Sequence, residues 1–303
     1  LKHQGEDTTR IFQRWARLLL STKNPADVIT TMRRDCKIFL KHTYTDAGQN
    51  IKEQVIERII GHQWDSKNDP AKSLLYSIEE HLRVQESVQL NDPSTLDLEH
   101  IIPQSTIQDD PDENAQWWIE HVGVEFEELK RLVYSIGNMT LLHNRANRSV
   151  GNRKFCFEAG DPPPEADTPE DATFTPVGDG GVEGYYEKEE SDGDGNIVRK
   201  RYFSHKRAAI IDDELRLNNL ISGDGHPHLL PFIDEDDLIE SEMESEEVKE
   251  FDFNKWKENY DFDRWKLVEV KARSRALAET AWDMIRIALD LSDEEEEAPA
   301  EEE

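Results

Sequence analysis

Two short stretches of this chain hold residues of types that can do chemistry together. One is Leu98-Glu99-His100-Ile101-Ile102-Pro103-Gln104; the other is Gly137-Asn138-Met139-Thr140-Leu141-Leu142, trailed by Asn144, Asn147 and Asn152-Arg153-Lys154-Phe155. A histidine is the natural base for taking a proton from water near neutral pH. Carboxylate and amide oxygens are hard ligands, suited to a divalent ion that acts as a Lewis acid. Between Glu128 and Glu158 there is no acidic residue, while Lys130, Arg131, Arg145, Arg148, Arg153 and Lys154 give a local net charge of +6. Such a patch is what a phosphate-binding surface needs. Hydrolysis of a phosphodiester is a reaction that calls for such groups, a base near neutral pH and positive charge where the leaving oxygen becomes anionic.

The elements that must position these groups follow from spacing. Thr95 to Ile102 reads as a short strand closed by Pro103, which cannot donate to a ladder and favours a strand terminus. Neighbours in a strand face opposite ways, so Glu99 and His100 reach a common site only where the strand ends or bends. Residues 105–116 are acidic and loop-like, and Trp117 to Ile136 have helical spacing, with Trp118, Val122, Phe126, Leu129 and Val133 on one face and Gly137 as the stop. Asn138 to Leu142 can then form a second short strand, and Asn144 to Phe157 a helix interrupted or entered near Gly151 and Asn152. The local order is strand, insertion, strand, helix.

In this order and with these motifs the chain resembles the HNH-type nuclease module in the C-terminal half of GmrSD-type modification-dependent restriction enzymes. More distantly it is similar to the HNH nuclease of CRISPR effectors, where acid, His, two apolar residues, Pro and Gln recur. The resemblance covers the helical stretch ahead of Glu99, the core from 95 to 157 and, more weakly, the last helix with Arg275 and Trp282. It implies His100 as general base, with Glu99 and Asn147 as ligands of a divalent metal, Mg2+ or Mn2+. Asn147 follows Asn138 by nine residues, a spacing like that of the CRISPR module. Asn138 is then a structural residue that fixes its loop by hydrogen bonding to backbone. Asn152 and Lys154 match the family's trailing Asn and Lys, with Lys154 a point charge for a phosphate in the catalytic set. Arg145, Arg148 and Arg153 become DNA-backbone contacts, and Pro103 and Asn152 are structural neighbours of the site.

Plainer readings stand beside these. His100 alone would be a satisfied core histidine, Glu99 a surface strand residue, Asn147 a helix cap, Asn152 structural and Lys154 a solvated charge. His143 matches no position of the family. About 46 residues separate His100 from Asn147, including the acidic stretch Asp109 to Glu113, Trp117 and Trp118, which a helical insertion would accommodate.

The whole chain has 303 residues, a formal net charge of −30 and 36% hydrophobic residues. No window approaches the ~18–20 continuous apolar residues of a membrane span, and two cysteines, Cys36 and Cys156, are too few for a disulfide framework or a four-cysteine zinc site. The expectation is a cytoplasmic protein and a piece of something longer. Residues 1–156 hold 20 basic and 23 acidic side chains, against 16 and 43 in residues 157–303. The runs Asp234 to Glu250 and Asp293 to Glu303 read most simply as disordered or solvating.

The reading is an α+β, mostly helical protein with a ββα-metal, HNH-like core flanked by helical segments. Its parts are a helical flank over 1–92, the core over 93–158, an acidic linker or insertion over 159–250, a C-terminal helical segment over 251–292 that packs on the core, and an acidic tail over 293–303. The function expected is a metal-dependent DNA endonuclease or nickase acting on foreign or modified DNA in phage defence. The alternatives are a non-catalytic nuclease-fold interaction or regulatory module, and an acidic DNA mimic. These 303 residues carry no Asp-Gly-Gln-Gln-Arg type signature of the nucleotide-using N-terminal domain typical of such restriction enzymes, so the expectation is that any nucleotide dependence comes from a segment outside them or from a partner subunit.

Overall fold

Apolar residues at helical spacing form the helices, and side-chain caps set the start of several of them. The computed structural model describes residues 15, 17, 25–43, 50–64, 70–83, 92–144, 147, 151, 152, 155, 186–191, 197–202, 229–242, 252–258, 260 and 265–291. Its elements are α1 (Pro25–Thr43), α2 (Ile51–Ile60), α3 (Pro70–Arg83), β1 (Leu96–His100), α4 (Glu113–Val122), α5 (Phe126–Val133), β2 (Met139–His143), β3 (Tyr186–Ser191), β4 (Ile197–Tyr202), α6 (Glu235–Glu242), α7 (Phe253–Glu258) and α8 (Leu267–Leu289). The described residues are thus mostly helical, with two separate two-stranded antiparallel sheets. The chain divides into two compact units, Leu1–Ile59 with Ala278–Glu303, and Ile60–Leu277.

In the first unit, Pro25 opens α1, where a missing N–H costs nothing. The buried Asp35 on this helix accepts a hydrogen bond from the Trp15 indole at 3.1 Å. Asn50 caps α2 through Oδ1, which accepts from the Lys52 amide at 2.7 Å, and Ile51, Val55 and Ile56 are buried. The Lys52 ammonium lies 3.4 Å from the Glu279 carboxylate, and Lys37 Nζ donates to the Asp290 carbonyl.

The second unit contains the hairpin β1–β2, antiparallel with Leu96 opposite His143 and His100 opposite Met139. The expected order of strand, insertion and strand is present, with α4 and α5 between the strands and α3 packed against both of them. Beyond β2, Asn144 and Asn147 are helical; most of the stretch from Asn144 to Phe157, expected as the helix of a ββα core, lies outside the described residues.

Several boundaries differ from the sequence expectation for identifiable reasons. Thr95 is not in the strand: Asp92 caps a 3-10 turn over Pro93–Thr95 by accepting from the Ser94 amide at 2.8 Å. The expected helix from Trp117 to Ile136 is two helices, because Gly123 takes a left-handed conformation (φ 68°) and ends α4. That first helix starts earlier, at Glu113, capped by Asp112 through the Ala115 amide. Gly137 does not stop a helix. It lies in a 3-10 turn where a Cβ would overlap the Val270 carbonyl and the Ser274 hydroxyl, so it is glycine because α8 passes against it backbone to backbone.

The acidic run from Asp234 contains a helix, α6, started by Asp234 accepting from the Asp236 amide. Leu238 is buried with Leu229, Ile233, Tyr260, Val268, Ala272 and Ala276, and Asp237 pairs with Lys271 at 2.7 Å. A charged segment forms a helix here because Leu238 has an apolar cluster to enter. The β3–β4 hairpin, with Tyr186 opposite Tyr202, lies where a linker and an unplaced stretch were expected. The tail Asp293 to Glu303 lies outside the described residues.

The main core of this unit joins Ile101, Ile102, Trp118, Val122, Leu129, Leu132, Val133 and Phe155 to Trp265, Leu267 and Val270. It is built from the end of β1, the insertion helices and the start of α8.

Candidate active site

The strand β1 has two chemically different faces. Leu96 and His100 are buried, whereas Asp97 and Glu99, on the opposite face by strand alternation, are half-buried. The strand ends at His100, and Ile101 and Ile102 form a bend. This is the geometry under which an acid and a histidine on opposite faces can approach one site.

The bend is held by Asn138, which is fully buried. Its Oδ1 accepts from the Ile102 amide at 2.8 Å and from the Trp265 indole at 3.3 Å. Its Nδ2 donates to the carbonyls of Ile102 at 3.0 Å and Val133 at 3.1 Å. All four hydrogen-bonding positions of the amide are used. The Asn138 carbonyl also accepts from the Ile101 amide at 2.9 Å. One side chain thereby ties the end of β1, the end of α5 and the approach to α8.

A second clamp comes from Arg273 on α8. Its Nη1 donates to the Gly137 carbonyl at 2.8 Å and the Met139 carbonyl at 2.5 Å, so the guanidinium grips the entrance to β2. The group is wholly buried, its Nε and Nη2 have no hydrogen-bond partner among the described residues, and desolvation pulls its pKa down to about 9. Ser274 Oγ meets Ser135 Oγ at 2.9 Å and accepts from the Gly137 amide at 3.1 Å.

His100 is 9% exposed, and burial pushes its pKa down to about 4, which leaves the imidazole neutral at neutral pH. Its Nε2 lies 3.3 Å from Gln104 Nε2, and its ring meets Tyr134 edge to face at 6.0 Å. The amide nitrogen of Gln104 can only donate, so in this orientation Nε2 is the acceptor and Nδ1 carries the proton. Pro103 is buried and its carbonyl accepts from the Thr106 hydroxyl at 2.7 Å, which starts the 3-10 turn that carries Gln104.

Asn147, half-buried, donates through Nδ2 to Asp97 Oδ2 at 3.4 Å, and its carbonyl accepts from the Gly151 amide at 3.2 Å. Gly151 has φ 54°, a left-handed residue that turns the chain after Asn147. Asn152 Nδ2 then donates to Asp112 Oδ2 at 2.5 Å, and Phe155 stacks on Trp265 with ring centres 5.3 Å apart. Asn147 is therefore anchored to β1, Asn152 to the cap of α4 and Phe155 to the core.

The structure brings Asn147 to β1, Asn152 to the insertion and Asn138 to the bend. Among the described residues no hydrogen bond or ion pair joins His100 to Glu99 or to Asn147. Arg145, Arg148, Arg153 and Lys154 lie outside the described residues. Of the remaining cations in the basic stretch, Arg131 is engaged with Glu128 at 3.3 Å on exposed surface. Asp97 and Asp112 were not singled out from sequence. For Asp97 the signal was there, since it stands two residues before Glu99 and so on the same face of the strand. For Asp112 and Arg273 only the fold supplies the partner.

Among the described residues no group of three His, Cys, Asp or Glu side chains is close enough to hold a metal ion. A cation here would draw on the Glu99 carboxylate and the Asn147 amide. That is a sparse, all-oxygen donor set, and it fits a hard ion such as Mg2+, which keeps several waters and binds through one or two carboxylates plus substrate phosphate. Among the described residues, no helix is long and apolar enough to cross a membrane.

No curated protein and no solved structure matches the chain significantly. The family described as "GmrSD restriction endonucleases, C-terminal domain" matches residues 49–280, a span that includes both motif stretches and most of α8. The chain belongs to that family, and with it to a restriction-endonuclease type of nuclease role.

Proposed function

We propose that this chain is a metal-dependent DNA endonuclease or nickase domain of HNH type, acting on foreign or modified DNA. The observation that carries the reading is the hairpin. An acid and a histidine are consecutive at the end of β1, and Asn147, arriving from the far side of β2, hydrogen bonds to the same strand. A scaffold alone would not require a half-buried acidic strand face next to a buried histidine.

In this reading His100 takes a proton from the attacking water. Burial keeps the imidazole unprotonated and so able to accept, while also weakening it as a base. A phosphate anion brought next to the ring favours the protonated form and raises the basicity at the moment it is used. Gln104 fixes which ring nitrogen is the acceptor, and water would have to replace its amide at that position. Glu99 and Asn147 are the groups that would hold a divalent cation, which when bound supplies positive charge to the leaving oxygen. Lys154, Arg145, Arg148 and Arg153 would hold DNA phosphates, with binding that weakens as salt rises.

The test is supercoiled plasmid incubated with the purified chain and Mg2+, Mn2+ or EDTA, modified and unmodified DNA in parallel. Cutting with either ion, lost in EDTA and in Glu99→Ala, is the expected result. Cutting that persists in EDTA at the same rate contradicts the metal assignment.

A further inference from the structure

Asn147 can serve a cation only through its amide oxygen, and an amide can rotate to present nitrogen instead. The structure shows what settles the choice. The atom of Asn147 facing Asp97 is Nδ2, 3.4 Å from Oδ2. An ionised carboxylate accepts and cannot donate, so only the nitrogen can face it. The oxygen must then point away from Asp97, and among the described residues it has no hydrogen-bond partner. Asn147 is also held at its main chain, where its carbonyl accepts from Gly151 before the left-handed turn. With backbone and amide nitrogen both fixed, one degree of freedom of a flexible side chain is removed before any ligand arrives.

We infer that Asp97 is a positioning residue: its carboxylate orients the Asn147 amide so that Oδ1 is the atom offered to a divalent cation. The inference rests on reading Asn147 as an oxygen ligand. Asp97 shares its strand face with Glu99, so the orienting group and the proposed ligand are set by one rigid element, two residues apart. Partners that orient a metal ligand in this way typically change metal affinity by about 10–100-fold when removed.

Calorimetric titration of Mn2+ into the full chain tests this without any cleavage. Asp97→Leu removes the acceptor at similar size, and about tenfold or weaker Mn2+ affinity is expected. Asp97→Thr suits a strand but is too short to span the distance, and carries the same expectation if Asp97→Leu does not fold. Asp97→Asn keeps an acceptor oxygen while removing the charge, and affinity within about threefold of wild type is expected. In an Asn147→Ala background, Asp97→Leu should add nothing, because there is no amide left to orient.

Asp97→Asn losing as much affinity as Asp97→Leu would make Asp97 a ligand or a charge effect and overturn positioning. Additive losses in the double variant would do the same. Wild-type affinity in Asp97→Leu would overturn this inference alone and leave the site reading standing. No saturable Mn2+ binding by the wild-type chain would overturn both.

Discussion

Asn138 and Asn147 stand nine residues apart in sequence, one just before β2 and the other four residues beyond it, and differ in almost every physical respect. Asn138 is fully buried with all four amide positions bonded to backbone or indole. Asn147 is half-buried, and among the described residues its side chain makes a single bond, to a carboxylate on the acidic face of β1. A saturated polar group can hold structure but has nothing left to offer a ligand; a group with spare valence contributes little to stability and can bind. The same contrast separates the two faces of β1, with Leu96 and His100 turned inward and Asp97 and Glu99 outward.

The contrast breaks most easily at Asn138. Asn138→Ala would leave the Ile102 amide and carbonyl, the Val133 carbonyl and the Trp265 indole without their partner, and a loss of about 4 kcal/mol is expected from urea unfolding. Stability within 0.5 kcal/mol of wild type, an order-of-magnitude threshold for a neutral surface change, would mean the bend does not depend on this amide.

His100 gives the next largest effect, through pH. Its folded pKa is about 4 against an ordinary 6.5, so the unfolded chain binds the proton first as pH falls. The stability from the buried neutral ring is therefore complete above about pH 6.5 and is lost progressively down to about pH 4, a loss of about 3 kcal/mol by linkage. In EDTA, the wild type should lose that much more stability than His100→Gln over this window; parallel curves would show the ring is not desolvated.

Asn147→Ala sharpens the comparison by its small effect on the fold. Its stability should stay within about 0.5 kcal/mol of wild type while Mn2+ affinity falls at least about tenfold. A large loss of stability would place Asn147 with Asn138, as scaffold.

Much of this arrangement was legible in the chain. Strand, insertion and strand follow from alternation around Leu98 and Leu141 and from helical spacing between them, and Asn138 was expected to bond backbone. Boundaries set by single side chains were less visible. Asp92 withdraws Thr95 from the strand, and Gly123 divides one expected helix into two, a signal present in the sequence but overridden by the apolar periodicity around it. Partners distant in sequence could not be read at all. Arg273 reaches Gly137 and Met139 across more than 130 residues, and Gly137 is glycine because of α8, not because of the helix before it. Leu238 orders an acidic segment through a pocket that only the fold provides.

The most direct measurement is plasmid cleavage by wild-type chain and His100→Ala at pH 7.5, a condition chosen about one unit above the ordinary histidine value, with Mg2+ and after matching their folded fractions by circular dichroism. Removal of a general base should slow cutting by about 10³-fold while DNA binding at the same salt is retained. Cutting by His100→Ala at the wild-type rate would remove His100 from the chemistry and leave the hairpin as scaffold only.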